Sequence, residues 1–244
     1  MEPLSDVNKP LPRQAPNEEV LARVGHTRRV LRDPKLTSQD YVDSYGQWAA
    51  DYDQDGAKIG FTAWSVAVDR IATLQPDRNA RILDFCGGTG QIGKRLHEMG
   101  YRNLDISDGC EAMLKEADKL AVYKNRFHEV LPKHARAQFL ELEDMKYDVV
   151  LSSMAGLVYR ELAQQILMEN LAPVRGPPNV VGRGYYIFLG RDAHVGNYDI
   201  DAIPWAVEEA SKQDGPLELI ENTTDLPYDA YSGNKLRVVI IRKK

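Results

Sequence analysis

The strongest constraint on the fold is an apolar stretch that runs directly into a glycine-rich turn and then into an amphipathic helix. The stretch reads Ile-Leu-Asp-Phe-Cys-Gly-Gly-Thr-Gly over residues 82–90, and residues 91–99 carry apolar side chains at helical spacing. We therefore predict a strand, a turn and a helix in immediate succession. Such a unit points free backbone N–H groups and the positive end of a helix at a ligand, and glycine lets the ligand approach closely.

Short apolar runs and helical patterns alternate along the rest of the chain. Strands are predicted at residues 81–85, 103–107, 126–130, 147–152 and 185–189, near Leu217 and near Leu236. Helices are predicted between them at residues 91–99, 112–121 and 158–171. This order predicts an α/β fold, a doubly wound and mostly parallel seven-stranded sheet with helices on both faces. The last two strands have no helix between them, so they are expected to form an antiparallel hairpin.

The chain is expected to form one domain, which begins near residue 17. Residues 1–16 are rich in proline and polar side chains, which predicts a disordered or loosely ordered tail. Residues 17–76 are predicted to form N-terminal helices: one that stops at Asp33-Pro34, a second over 37–55 and a third over about 57–75. Residues 77–244 are expected to form the α/β core.

Charge and composition argue against several classes of partner. Lysine and arginine total 31 against 36 aspartate and glutamate, so the net charge of −5 gives no basic field for nucleic acid. No apolar run has the length of a membrane span, and we expect a soluble, cytoplasmic protein. Cys86 and Cys110 are the two cysteines and lack the spacing of metal ligands, so no metal site is predicted.

A carboxylate at the end of the second strand is the expected partner of the glycine turn. Gly88, Gly90 and Gly93 satisfy the G-x-G-x-x-G pattern, which nicotinamide enzymes also use. Asp108 follows at the spacing where a carboxylate meets a ribose, and it is preferred over Asp105, which precedes an apolar residue inside the strand. The alternative is that the aspartate only caps the next helix.

These residues resemble the class I, seven-stranded Rossmann-like methyltransferases that use S-adenosylmethionine. The resemblance rests on Asp84 followed by the glycine turn, on residues 108–114, on the strand at 147–151 and on the final hairpin. More narrowly, residues 48–55, Trp-Ala-Ala-Asp-Tyr-Asp-Gln-Asp, together with the turn resemble the Williams–Beuren-region methyltransferase-like proteins. The resemblance implies S-adenosylmethionine as cofactor and a small-molecule or protein methyl acceptor. The charge and the apolar runs already predict no nucleic acid or membrane partner.

The resemblance also implies a set of cofactor-binding residues. They are Trp48, Tyr52, Asp84, Cys86, Gly88, Gly90, Asp108, Gly109, Cys110, Met113 and Ser152. Asp108 would hold the ribose, Cys110 and Met113 would line the adenine edge, and Trp48 and Tyr52 would cover the cofactor as a lid. Core packing of an amphipathic helix explains these two aromatic residues almost as well.

Substrate-side candidates follow the fourth and fifth strands, whose carboxyl ends open on the same crevice. They are Ser153, Met154, Arg191 and His194. His194 is either a general base or a solvated loop residue. Methyl transfer mainly requires that the acceptor be aligned with an activated methyl group, so a catalytic triad is not needed. None is apparent in the sequence. The alternatives are an NAD(P)-dependent oxidoreductase and a module that binds S-adenosylmethionine without turnover.

Overall fold

The computed structural model describes residues 16–30, 35, 37–131, 147–153, 167–168, 184–191, 202–212 and 214–244. Four helices precede the first strand: α1 (Glu18–Val30), α2 (Ser38–Trp48), α3 (Tyr52–Lys58) and α4 (Ala63–Leu74). The cap of α2 is visible in the sequence, since the Thr37 side chain accepts from the Asp40 N–H and Asp40 in turn accepts from the Thr37 N–H.

The prediction of one helix over residues 37–55 was wrong, because α2 and α3 are separated by a turn at residues 49–51. In this turn Asp51 N donates to Trp48 O and Tyr52 N donates to Ala49 O, so the hydrogen bonds span three residues instead of four. The sequence hides the break because alanine is the strongest helix former. The third helix also starts later than predicted, since Gly60 adopts a φ of 66° after α3.

The core is a seven-stranded sheet in the order β3-β2-β1-β4-β5-β7-β6. Its strands are β1 (Arg81–Phe85), β2 (Asn103–Asp108), β3 (Asn125–His128), β4 (Val149–Ser153), β5 (Tyr185–Arg191), β6 (Leu217–Pro227) and β7 (Lys235–Lys243). The helices that follow β1, β2 and β5 are α5 (Gln91–Glu98), α6 (Glu111–Asp118) and α7 (Ala202–Ala210). The first five strands are parallel, whereas β7 is antiparallel to both β5 and β6. The predicted fold class, including the terminal hairpin, is confirmed.

The sheet is buried on both faces, as its continuous apolar strands require. Successive residues of β1 alternate between two core clusters: Ile82 packs with α4 and α5, and Leu83 packs with α7. The side chains of α4 that face the sheet are Ala63, Ala67, Val68 and Ile71. This packing fixes α4 over the sheet and brings the segment before it close to the carboxyl ends of the central strands.

Several predictions fall outside the described residues. They concern the tail at residues 1–15, most of the helix at 158–171, and the side chains of Met154, Arg191 and His194. Within the described part of the chain, none of the helices has both the length and the apolar character needed to cross a membrane.

Candidate functional site

The turn after β1 is hydrogen bonded to the end of β2. Phe85 lies opposite Ser107 in the parallel register, and Gly87 N donates to Ser107 O at 3.0 Å. One residue further on, Gly88 N donates to Asp108 Oδ2 at 2.9 Å. The glycine turn and the carboxylate at the end of the second strand therefore meet at one point, as the sequence predicted.

The glycines of the turn have two different roles. Gly88 has a φ of 56°, and a Cβ built on it meets nothing within 4 Å, so its Cα faces open space. Gly90 has a φ of 79°, and its Cβ position lies 2.8 Å from the Tyr123 ring; the Cβ position of Gly93 lies 2.1 Å from the Tyr123 hydroxyl. Gly88 is thus the position that lets a ligand approach, whereas Gly90 and Gly93 admit the Tyr123 ring.

Asp108 uses both carboxylate oxygens within the fold. Oδ2 accepts from Gly88 and Oδ1 accepts from the Cys110 N–H at 2.8 Å, just before α6. Asp108 therefore does bind the backbone at the start of α6, as the capping alternative predicted, and its carboxylate also lies at the glycine turn. Burial raises the pKa of Asp108, and the backbone N–H groups of Cys110 and Gly88 oppose that rise.

Asp105 lies inside the sheet. Its carboxylate accepts from the Tyr147 hydroxyl at 3.0 Å and from the Asn125 amide at 2.8 Å, and it pairs with Arg81 at 3.3 Å. Two of these partners belong to the neighbouring strands β1 and β3, and Tyr147 lies two residues before β4. Asp108, and not Asp105, is therefore the carboxylate that lies beside the glycine turn.

Asp84, in β1, is buried beside the turn. Its Oδ2 accepts from the Tyr123 hydroxyl at 2.6 Å, and no described residue donates to its buried Oδ1. Burial raises the pKa of Asp84 to about 6, the bond from Tyr123 opposes this rise, and the nearby charge of Asp108 adds to it. A donor on a bound ligand would therefore find an unused acceptor here.

The two cysteines are placed differently. Cys86 begins the turn with a φ of 57°, and burial raises the pKa of its thiol well above the ordinary range. Cys110 and Met113 are buried against α2, where Cys110 Sγ lies 3.8 Å from the Cβ position of Gly46. The predicted adenine-edge residues are thus packed beneath an N-terminal helix.

Two further predicted residues lie at strand ends beside the turn. Gly109 follows β2, and its Cβ position lies 3.2 Å from Glu129 O and from Val130 Cα, so this site is tight. Ser152 is fully buried in β4, opposite Phe85. Ser153 lines the same pocket as Asp84 and Gly88, and its buried hydroxyl has no described hydrogen-bond partner.

Trp48 and Tyr52 lie in a cluster of aromatic rings above the turn. The Trp48 ring packs edge-on against Tyr52 with centroids 4.8 Å apart. Trp48 Nε1 donates to Asp55 Oδ2 at 3.0 Å, so its indole is fixed by a polar partner. Tyr52 lines the pocket formed by the glycine turn, as do Phe61 and Trp64. The predicted lid position is therefore occupied mainly by Tyr52.

Sequence reasoning missed two residues of the site, Asp53 and Tyr123. Asp53 accepts from the Thr89 hydroxyl at 2.5 Å and from Gln91 Nε2 at 2.6 Å, which ties α3 to the glycine turn. It is the last residue of the W-A-x-x-Y-D pattern, so a signal existed. Tyr123 precedes β3 in a connection without any pattern, and nothing in the sequence marks it.

The strand order, with β7 antiparallel to both of its neighbours, is the fold that the resemblance seen in the sequence led us to expect. Residues 82–175 match the family model of the methyltransferase domain. The chain is 38% identical over 108 residues to methyltransferase-like protein 27 of Homo sapiens, an alignment that covers 43% of this chain and 42% of that protein. The match thus spans less than half of that curated relative.

Solved structures show the same fold. DhpI in complex with SAH, S-adenosylhomocysteine, superposes with a TM-score of 0.55 at 16% identity, over 83% of this chain and 94% of that one. A TehB-like SAM-dependent methyltransferase from Corynebacterium glutamicum superposes with a TM-score of 0.52 at 18% identity, over 84% and 98%. At these identities the likeness concerns the fold.

Proposed function

We propose that this chain is an S-adenosylmethionine-dependent methyltransferase that acts on a small-molecule or protein acceptor. The observation that carries the proposal is the hydrogen bond between Gly88 N and Asp108 Oδ2, 2.9 Å long, beside the open space that faces Gly88. It joins a helix-initiating turn to a carboxylate at the carboxyl edge of a parallel sheet, where ligands of such folds bind. The methyltransferase-domain match over residues 82–175 supports the same conclusion.

The described residues fit the cofactor in chemistry and in shape. The open side of Gly88 leaves room for the cofactor backbone, and the Asp108 carboxylate beside it would accept from the ribose hydroxyls. Asp84 Oδ1 and the Ser153 hydroxyl are buried polar atoms without described partners in the same pocket, which suits the polar methionine end. The sulfonium of the bound cofactor supplies an electrophilic methyl group.

The chain's own contribution is alignment and exclusion of water. The turn positions the cofactor against the sheet, while Tyr52, Phe61 and Trp64 cover the pocket with apolar surface. Holding an acceptor in line with the methyl group supplies most of the rate enhancement that such a transfer needs. Asp53, through Thr89 and Gln91, keeps the covering helix in register with the turn.

Ligand binding by the purified chain separates this function from the nicotinamide alternative. We expect S-adenosylhomocysteine, but not NAD, to raise the melting temperature and to give a calorimetric binding isotherm. Stabilisation by NAD alone would overturn the proposal. Transfer of label from a methyl-labelled cofactor to an extract then distinguishes an enzyme from a module that only binds.

Asp108→Ala tests the residue on which the proposal rests. We expect S-adenosylhomocysteine to bind at least about tenfold more weakly, or about 1.4 kcal/mol, since ribose hydrogen bonds are lost. Asp118→Ala is the matched control, because Asp118 ends α6 and its side chain is exposed. Equal affinities of the two variants would remove Asp108 from the binding site.

A further inference from the structure

A second pocket adjoins the cofactor site. It lies between the N-terminal helices and the connection that joins β6 to β7, and Tyr52, Phe61 and Trp64 line both pockets. We call it the aromatic pocket; its lining residues are Val24, Thr27, Tyr45, Trp48, Tyr52, Gly56, Ile59, Phe61, Trp64 and Tyr228. Because the two pockets share a wall, a molecule in the aromatic pocket lies next to the methionine end proposed for the cofactor.

Six of the ten lining side chains are aromatic. Their rings form a continuous chain of contacts: Tyr45 stacks near Trp48 with centroids 6.4 Å apart, and Phe61 meets both Trp64 at 5.2 Å and Tyr228 at 5.3 Å. The last two contacts are edge-on. The pocket is therefore surrounded by ring faces and edges that come from separate helices and from the terminal hairpin.

The charges of the described residues that line the two pockets do not favour an anionic acceptor. Among the described lining residues of both pockets, the one charged side chain is Asp84, which is an acid. Arg95 lies over the Trp64 ring at 5.3 Å but does not line either pocket, and Arg23 is paired with the buried Asp55. A carboxylate or phosphate at this place would have no described cation to pair with, and its desolvation would be costly.

The described residues that line the aromatic pocket also include no group suited to act as a general base. Its hydroxyl groups belong to Thr27 and to tyrosines, and burial raises the pKa of Tyr45 and of Tyr52 well above 10. Asp84 is hydrogen bonded to Tyr123 on the cofactor side. An acceptor that has to lose a proton during transfer, such as an alcohol, would therefore find no suitable group among the described residues that line the aromatic pocket.

We infer that the aromatic pocket takes a tertiary amine as methyl acceptor and holds the resulting quaternary ammonium by cation–π interactions. This inference rests on the proposed function. The amine lone pair forms the new N–C bond, the S–C bond breaks, and its electron pair stays on sulfur, which becomes a neutral thioether. The acceptor reacts as the free amine, which has lost its proton to solvent before it enters the pocket, so the positive charge moves from sulfur to nitrogen and the transfer itself releases no proton. Aromatic rings stabilise that charge as it develops on nitrogen.

Choline and its uncharged isostere, in which carbon replaces nitrogen, are the probes that test this assignment. We expect choline to raise the melting temperature of the complex with S-adenosylhomocysteine, and the isostere to bind at least about tenfold more weakly. Equal binding of the two probes would show selection for apolar volume and would overturn the inference.

Tyr228 provides the variant pair, since it lines the aromatic pocket but not the cofactor pocket. Tyr228→Leu removes a ring and should weaken choline binding at least about threefold, whereas Tyr228→Phe keeps the ring and the affinity. Both variants should bind S-adenosylhomocysteine as the parent chain does. Absence of choline binding while S-adenosylhomocysteine still binds overturns the aromatic-pocket assignment alone. Failure to bind S-adenosylhomocysteine overturns the proposed function and this inference with it.

Discussion

The glycine turn and the aromatic pocket lie side by side, yet they are held by different forces. Backbone geometry fixes the turn: Gly87 and Gly88 donate to β2, and Gly88 and Gly90 adopt positive φ angles. Side-chain packing fixes the pocket, together with the buried carboxylate of Asp55, which binds Arg23 and Trp48. The glycine turn is therefore specified locally, whereas the aromatic pocket depends on contacts between distant segments.

A buried charge makes the stability of the turn depend on pH, and Asp84→Asn removes that charge. The ordinary pKa of an aspartate is near 4 in the unfolded chain, whereas burial raises the pKa of Asp84 to about 6 in the fold. Between these values the folded chain binds more protons, so the free energy of unfolding falls as pH rises. The total loss is about 3 kcal/mol at pH 7.

The difference between Asp84→Asn and the parent chain is the quantity to measure. The variant stays neutral, so we expect its free energy of unfolding to rise relative to that of the parent by about 2.5 kcal/mol between pH 4 and pH 7. Denaturant titrations at a series of pH values give this difference. If the difference in free energy of unfolding between the two chains stays constant over that range, Asp84 has an ordinary pKa. The stability of the turn would then not depend on the ionisation of Asp84.

Asp55→Ala probes the acceptor side in the same way. Burial by itself raises the pKa of Asp55, but hydrogen bonds from Arg23 and Trp48 outweigh it and lower the pKa. Removing the carboxylate leaves the indole N–H and a partly buried guanidinium without this partner. We expect the free energy of unfolding to fall by about 2 kcal/mol, less than for a fully buried pair because Arg23 is 25% exposed.

Glu19→Ala is the matched control for Asp55, because Glu19 pairs with the same Arg23 at 2.6 Å but is 75% exposed. It should cost less than about 0.5 kcal/mol, as exposed pairs do. Similar losses for the two variants, measured by denaturant unfolding, would mean that the N-terminal helices are held by packing alone and that Asp55 has no special part in the pocket.

The same contrast explains what the sequence predicted. The strand order, the hairpin and the meeting of Gly88 with Asp108 follow from apolar periods and turn residues that lie within short stretches of chain. The aromatic pocket brings Tyr228 beside Phe61, although the two residues are far apart in the sequence. Hydrophobic periodicity predicts only that such rings are buried and does not predict which rings meet. The break after Trp48 was missed because tertiary bonds to Asp55 override the helix propensity of two alanines.

Asp53 connects the two regions, and its removal tests whether they are separable. It accepts from the buried Thr89 hydroxyl and from Gln91, both in or next to the turn, while its own helix carries Tyr52 into the pocket wall. Asp53→Ala should lower the free energy of unfolding by about 1 kcal/mol, because Thr89 loses its acceptor. Asp51→Ala is the control, since Asp51 makes no side-chain cap to α3 and lies 3.9 Å from Arg23.

A double-mutant cycle of Asp53→Ala with Thr89→Ala isolates the connection itself. If α3 and the turn act as one unit, the coupling free energy between the two substitutions should be at least about 0.5 kcal/mol. Affinity for S-adenosylhomocysteine should then fall with Asp53→Ala and should not fall further when Thr89→Ala is added. Additive effects would mean that the turn keeps its shape without the helix. The side of the aromatic pocket that Tyr52 forms would then move independently of the glycine turn.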